Sequence, residues 1–175
     1  MSQNPKISRY IIKSGLGRGA SGRVYLAEDP EYKRQVAIKV LDEEYALDPQ
    51  HRNRFDREAK AMASLNHPNI VKLLDHGGTP DSHLYLVMEV IDGPHLGQLA
   101  REWGNMPETL LAAIGLELAS ALAHAHNQGI IHRDLKPENV FLDNGRLVLA
   151  DFGIAKAIAE NSPLGEDAKK ITEII

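Results

Sequence analysis

Residues 130–158 read IIHRDLKPENVFLDNGRLVLADFGIAKAI. Short apolar runs alternate there with polar clusters that suit loops; Asp134 and Asp151 sit just after apolar segments, and Asn139 follows Asp134 by five positions. Carboxylate and amide oxygens are hard ligands. They suit Mg2+, which takes few protein ligands and fills its shell with phosphate oxygens and water. Asn139 and Asp151 can supply such ligands, and Asp134 can accept the proton of an attacking hydroxyl. Lys136 can neutralise charge on a transferred phosphoryl group. Each residue also has an ordinary use, because Asp and Asn favour turns by bonding to nearby backbone. Their joint spacing is what points to chemistry. His132 reads as a packed structural residue, and His124 and His126, two apart on a helix, do not face a common ligand.

The wider composition sets bounds. The chain has 175 residues, 43% hydrophobic and 25% charged, with a net charge of -4. That is an ordinary balance for one globular domain. No basic block invites nucleic acid. With no Cys, disulfides and thiol catalysis are excluded. No apolar run is expected to reach the roughly 20 residues that cross a bilayer, and the start, MSQNPKIS, lacks a signal-peptide core. The expectation is a cytoplasmic protein without a membrane segment.

Working back from the opening stretch, PETLLAAIGLELASALAHAHNQG (107–129) is the clearest helix, with Leu111, Ile114, Leu118, Leu122 and Ala125 on one stripe. Pro107 near its start and Gly129 past its end fit helix punctuation. DGPHLGQLAREWG (92–104) reads as a linker and a short helix. Earlier, alternating segments predict strands at RYIIKSGLGRG, GRVYLAED, RQVAIKVL, NIVKLLDHG and HLYLVMEVI. One helix, over 50–65, interrupts them with Phe55, Ala59, Met62 and Leu65 on one face, and Asn66-His67-Pro68 ends it. Strands first and helices later predict an α+β fold with two unlike parts.

Gly17, Gly19 and Gly22 form G-x-G-x-x-G, followed by Val24. Glycines let a backbone turn sharply and approach a phosphate. A dinucleotide-binding version should open a helix, whereas this one runs into a strand-like segment. A Gly-rich hairpin over a nucleotide's phosphates fits, and so does a plain Gly-rich turn. Lys39 ends the strand-like VAIK, and Glu58 lies in the first predicted helix. A surface lysine is the ordinary fate, but a Lys39–Glu58 pair can aim an ammonium at two phosphates. Asp56, the rival carboxylate, falls on another helix face.

Together these residues resemble the eukaryotic-type protein kinases. GRGASGRV (17–24), VAIK (36–39), Glu58, HRDLKPEN (132–139) and DFG (151–153) occur in that family's order. HRDLKPEN with Lys136 is similar to the serine/threonine branch, and the style resembles bacterial members. The resemblance implies a complete N-terminal lobe, with a five-stranded antiparallel sheet and one helix, over 9–91. It implies a polar tail at 1–8 and a partial helical C-terminal lobe over 92–175. It implies transfer of the ATP γ-phosphoryl group to Ser or Thr hydroxyls of a protein substrate, with Mg2+. Lys39 would hold the α- and β-phosphates and pair with Glu58. Asp134 would be the catalytic base, assisted by Lys136, and Asn139 and Asp151 would hold the metal. Met88 would be the gatekeeper, and Glu89 and Ile91 would offer backbone groups to the adenine edge. Leu16, Val24, Ala37 and Phe141 would sandwich the ring, under the loop of Gly17, Gly19 and Gly22. Met62, Leu73, His132 and Phe152 would form the packing column of active kinases. Aminoglycoside-type kinases share this chemistry but usually lack the Arg and Lys of HRDLK.

After Gly153 the chain soon reaches Ile175, where the family continues an activation segment, a substrate platform and further helices. The expectation is therefore a chain cut short after DFG, with Ser162 and Thr172 in the region where relatives are phosphorylated and Arg133 as phosphate partner. Exposing four leucines of the 107–128 helix would forfeit roughly 6–12 kcal/mol, comparable with whole-domain stabilities of about 5–15 kcal/mol. A partner or the remaining lobe is then expected to be needed for stability. The alternative function is a catalytically impaired nucleotide-binding fragment or pseudokinase-like interaction module.

Overall fold

The computed structural model describes residues 5–19, 21–79 and 83–159. Its internal contacts divide it into two units, 1–63 with 72–90, and 64–71 with 91–175. The predicted linear boundary after residue 91 is therefore too simple. Ile91 and the segment 64–71 belong to the second unit.

The first unit is a six-stranded antiparallel sheet with one long helix. Its strands are β1 (Lys6–Ile7), β2 (Tyr10–Gly19), β3 (Gly22–Asp29), β4 (Arg34–Leu41), β5 (Leu73–Gly78) and β6 (Leu84–Met88), in the order β1-β2-β3-β4-β6-β5. Five strands were expected, and the supposed tail supplies the sixth. Ser8 turns the chain back at a φ of 52°, Lys6 and Ile7 pair with Ile11 and Tyr10, and Ile12 N donates to Pro5 O at 3.0 Å. Ile7 then packs on the core, which two residues of alternating pattern were too few to announce. One face of the sheet buries Tyr10, Ile12, Ala27, Val36, Ile38, Tyr85 and Val87 together. Helix α1 (Pro49–Ala63) begins with Pro at its first position, and Asp48 Oδ1 accepts from Gln50 N at 2.8 Å, a usual helix start. It buries Phe55, Glu58, Ala59 and Met62 at helical spacing and packs chiefly on β5. It stops at Ala63, a turn before Pro68.

The second unit contains helices α2 (Leu96–Trp103), α3 (Glu108–Asn127) and α4 (Ile154–Ala159), and strands β7 (Val140–Asp143) and β8 (Arg146–Leu149). His95 caps α2. Its Nδ1 accepts from Gln98 N, while Gln98 Oε1 accepts from His95 N, a reciprocal capping box. Residues 64–71 run along β8, with Leu149 N donating to Asn69 O at 2.8 Å and Val71 N to Leu149 O at 3.0 Å.

Helix α3 turns its predicted stripe inward except at Leu111. Ala121 and Ala125 are buried, Ile114, Leu118 and Leu122 are half-buried, and Leu111 and Leu116 are exposed. Polar contacts also hold it. Asn69 Nδ2 donates both to Glu117 Oε2 (2.8 Å) and to Leu147 O (2.7 Å), and Ser64 bonds Gln128. By length and a hydropathy of 1.2, α3 does reach the requirement for a membrane crossing, contrary to the expectation. Within its unit Glu117 is hydrogen-bonded to Asn69, and Ile114, Leu118 and Leu122 are half-buried.

Candidate active site

In the first unit, strand register sorts the predicted nucleotide contacts. Directly paired residues on neighbouring strands point to the same face. Gly17 pairs with Val24, Val24 with Lys39, and Lys39 with Leu86. In the next row Leu26, Ala37, Met88 and Leu73 pair in turn. Val24, Ala37, Lys39 and Met88 therefore share one face, opposite the Val36–Ile38 core, because side chains alternate along a strand. Leu16 sits at a bulge between Gly15 and Gly17 and is 53% exposed; bulges re-aim the side chains beside them. Glu89, beyond β6, is tied to Lys72 by its backbone N–H and its Oε1.

The three motif glycines are not equivalent. Gly22 has a φ of +152°, and a Cβ there would stand 2.0 Å from Val40 O. Its glycine is required by the β3–β4 contact itself. Gly17 has nothing within 4 Å of a built Cβ, and at Gly19 the nearest atom is 4.0 Å away. Nothing within the described chain demands glycine at these two, so the open space above them fits an outside group approaching the backbone.

Lys39 and Glu58 are both buried, Lys39 in the middle of the sheet and Glu58 on the inner side of α1. Arg57 holds Glu58 Oε1 through Nε at 3.3 Å and Nη2 at 3.2 Å. Asp56 is exposed and faces His76 at 3.8 Å. A separate cavity of about 580 Å3 in this unit is lined by Arg18, Arg23, Tyr25, Val40, Asp42, His83 and others. It holds none of the predicted contacts. Arg18 there faces Asp42 at 3.6 Å, and His83 Nε2 lies 3.5 Å from Glu43.

In the second unit, Asp134 is the hub. Lys136 Nζ donates to its Oδ2 at 2.7 Å, Asn139 Nδ2 to the same oxygen at 3.0 Å, and Lys156 Nζ to its Oδ1 at 2.6 Å. Partial burial opposes ionisation, but these three donors outweigh it and hold the Asp134 carboxyl well below the usual range. The same hydrogen bond to Asp134 raises the Lys136 ammonium. Asn139 is buried and also donates to Asp134 O at 2.8 Å. With its amide nitrogen committed there, Oδ1 is the atom it can offer a ligand.

The loop owes its shape to His132. That ring is buried, with Nε2 at 2.9 Å from Ala150 O, while Nδ1 accepts from Asp134 N at 3.3 Å. Nε2 thus carries the proton and the imidazole is neutral. Burial, opposed by the bond to Ala150, lowers its pKa accordingly. Phe152 lies 4.5 Å from it, centroid to centroid. Arg133 and Asp151 both take left-handed backbone, at φ of 62° and 57°, conformations that cost non-glycine residues and cluster at functional sites.

Asn139 and Asp151 flank one hairpin. Val140 pairs with Leu149, and Ala150 N donates to Asn139 O at 2.8 Å. Asn144 and Gly145 turn it with φ of 51° and 80°, as a tight two-residue hairpin requires. Phe141, on β7, is half-buried and stands edge-on to His95 at 6.1 Å. Ile91 is half-buried. Lys156 was missed by sequence reading, because nothing local to it marks a contact with a residue 22 positions earlier. Ser162 and Thr172 lie outside the described residues.

Residues 10–172 match the family described as protein kinase domain. The chain is 41% identical over 156 residues to serine/threonine-protein kinase PknL of Mycobacterium tuberculosis, covering 89% of this chain and 39% of that protein. It is 41% identical over 155 residues to serine/threonine-protein kinase PrkC of Bacillus subtilis, covering 88% and 24%. The chain thus spans well under half the length of these relatives. Its fold is similar to the crystal structure of the Mycobacterium tuberculosis PknI kinase domain, with a TM-score of 0.79 and 34% identity over 93% of this chain and 69% of that one. Fold, motif order and these likenesses agree: the chain belongs to the protein kinase family.

Proposed function

We propose that this chain carries the phosphoryl-transfer apparatus of a serine/threonine protein kinase, acting on a protein hydroxyl with ATP and Mg2+. The observation that carries the reading is the Asp134 cluster, an ionised carboxylate held by Lys136 and Asn139 on one loop. Relatives named serine/threonine-protein kinases at about 41% identity support the choice of acceptor.

On this reading Mg·ATP supplies the transferable group and the charge-neutralising cation. Lys39 holds phosphate oxygens, and Gly17 and Gly19 give them backbone at close range. Ala37, Val24, Met88, Leu16 and Phe141 offer apolar surface to the base, while Glu89 and Ile91 offer backbone polar groups. Asn139 Oδ1 and the Asp151 carboxylate hold Mg2+, hard oxygens for a hard ion. Asp134 accepts the hydroxyl proton, and Lys136 steadies charge on the phosphoryl group.

The test is transfer of label from γ-labelled ATP, with Mg2+, to Ser or Thr of a generic basic protein. We expect Lys39→Met to abolish labelling and Asp134→Asn to slow it by roughly 100-fold or more. Absence of both label transfer and any rise in melting temperature with Mg·ATP would refute the reading.

A further inference from the structure

Asp134 has two carboxylate oxygens, and they are occupied differently. Oδ2 is shared by Lys136 and Asn139, both on the loop that carries Asp134 itself. Oδ1 is taken by one group from elsewhere, the Lys156 ammonium at 2.6 Å, which also lies 3.5 Å from Arg133 O. Lys156 projects from α4, whose Ile154, Ala155, Ala157 and Ile158 are buried while Lys156 is exposed. Gly153 N donates to His132 O at 2.8 Å, and Ala157 N to Gly153 O at 2.9 Å. The helix is thus pinned to the loop that bears the base, and its one outward cation lands on the oxygen that the loop leaves over.

An acceptor hydroxyl must put its proton within hydrogen-bond reach of a carboxylate oxygen. With Oδ2 filled by two donors, Oδ1 is where it can do so, and there the Lys156 ammonium already takes one of the two acceptor positions and crowds the other. We propose that the Lys156 ammonium competes with the acceptor hydroxyl for Oδ1 of Asp134, so that its release favours engagement of the acceptor. Lys156 is thereby a gating residue for the acceptor, not a participant in the chemistry. Its ion pair joins a side chain 49% exposed to one 18% exposed. Such half-exposed pairs are weak, so a substrate hydroxyl competes with it on workable terms. The inference rests on Asp134 being the base.

Two measurements on the 175-residue chain separate the contact from the kinase reading. The first needs no catalysis. Lysines are acylated with an N-hydroxysuccinimide ester and quantified by mass spectrometry in the wild type and in Asp134→Asn, with Lys60 as the exposed internal reference. Lys156 should acylate about two- to fivefold faster in the variant, the scale of a half-exposed ion pair, with Lys60 unchanged. Equal Lys156 rates overturn the proposal. The second follows phosphorylation of a Ser-containing peptide. Lys156→Met should lower the peptide KM by about two- to fivefold and leave the KM for ATP unchanged, while Lys156→Arg should behave as the wild type. A peptide KM that is unchanged or raised in Lys156→Met overturns it. No transfer from any variant, wild type included, refutes the kinase reading and with it the acceptor role of Lys156, even if the acylation contrast persists.

Discussion

Helices α1 and α3 invert the usual relation between composition and burial. Helix α1 carries three Arg and one each of Gln, His, Asn, Asp, Glu and Lys, yet it buries Phe55, Glu58, Ala59 and Met62. Helix α3 is the more apolar by far, yet only Ala121 and Ala125 are buried and Leu116 is 74% exposed. Burial follows from what surface a helix meets. The inner stripe of α1 lies on β5 of its own sheet, whereas α3 is fastened within its unit by hydrogen bonds through Asn69, Glu117, Ser64 and Gln128. Apolar content gives a helix something to bury; it does not say where.

The strongest way to break this contrast is truncation on both helices. Phe55 is 0% exposed, so Phe55→Ala should cost about 3–5 kcal/mol in a denaturant melt, by lost transfer energy and a residual cavity. Leu116→Ala, although on the more apolar helix, should stay within about 0.5 kcal/mol of the parent. Equal costs would mean that α3 carries its unit's core after all. A smaller effect sharpens the polar side. Asn69→Ala removes the donor to Leu147 O and leaves Glu117 Oε2 only the longer bond from Leu147 N at 3.4 Å, and should cost about 1–3 kcal/mol, whereas Asn144→Ala, on an exposed turn, tests left-handed strain and one exposed bond to Asp143.

The smallest effect is a pH dependence. The folded pKa of His132 is depressed by burial, so below about pH 6.5 the unfolded chain binds a proton that the folded chain refuses. Stability from this group is complete above about pH 6.5. It is lost as pH falls toward the folded pKa, with a slope of at most about 1.4 kcal/mol per pH unit. Melting temperature followed from pH 7.5 to 5 in wild type and His132→Gln should show the slope shallower in the variant.

Much of this was legible in the sequence. The alternation in RQVAIKVL and the stripe Phe55–Ala59–Met62 place Lys39 and Glu58 on their elements, because strand and helix periods fix facing directions. The spacing in HRDLKPEN brings Asp134, Lys136 and Asn139 together because they share one short loop. What stayed hidden depends on contacts between distant residues. The β1 strand is two residues long and needed its partner to be seen. The glycine at 22 looks like a phosphate residue but is demanded by Val40 O. Lys156 reaches Asp134 only because α4 folds back on the loop, and the exposure of Leu111 depends on which surface α3 meets. The hairpin of β7 and β8 did carry a signal, Asp143-Asn144-Gly145 between apolar runs.

That hairpin acts as a caliper. Its two feet carry Asn139 and Asp151, and its jaws are set at the far end by the two left-handed residues of the turn. Pairing with a side-chain period of two makes such a gauge discrete, since a one-residue slip turns every side chain over. An insertion beside Asn144 would therefore be felt at the opposite end as a mismatch between the two oxygens proposed for the cation, although no residue near them had changed.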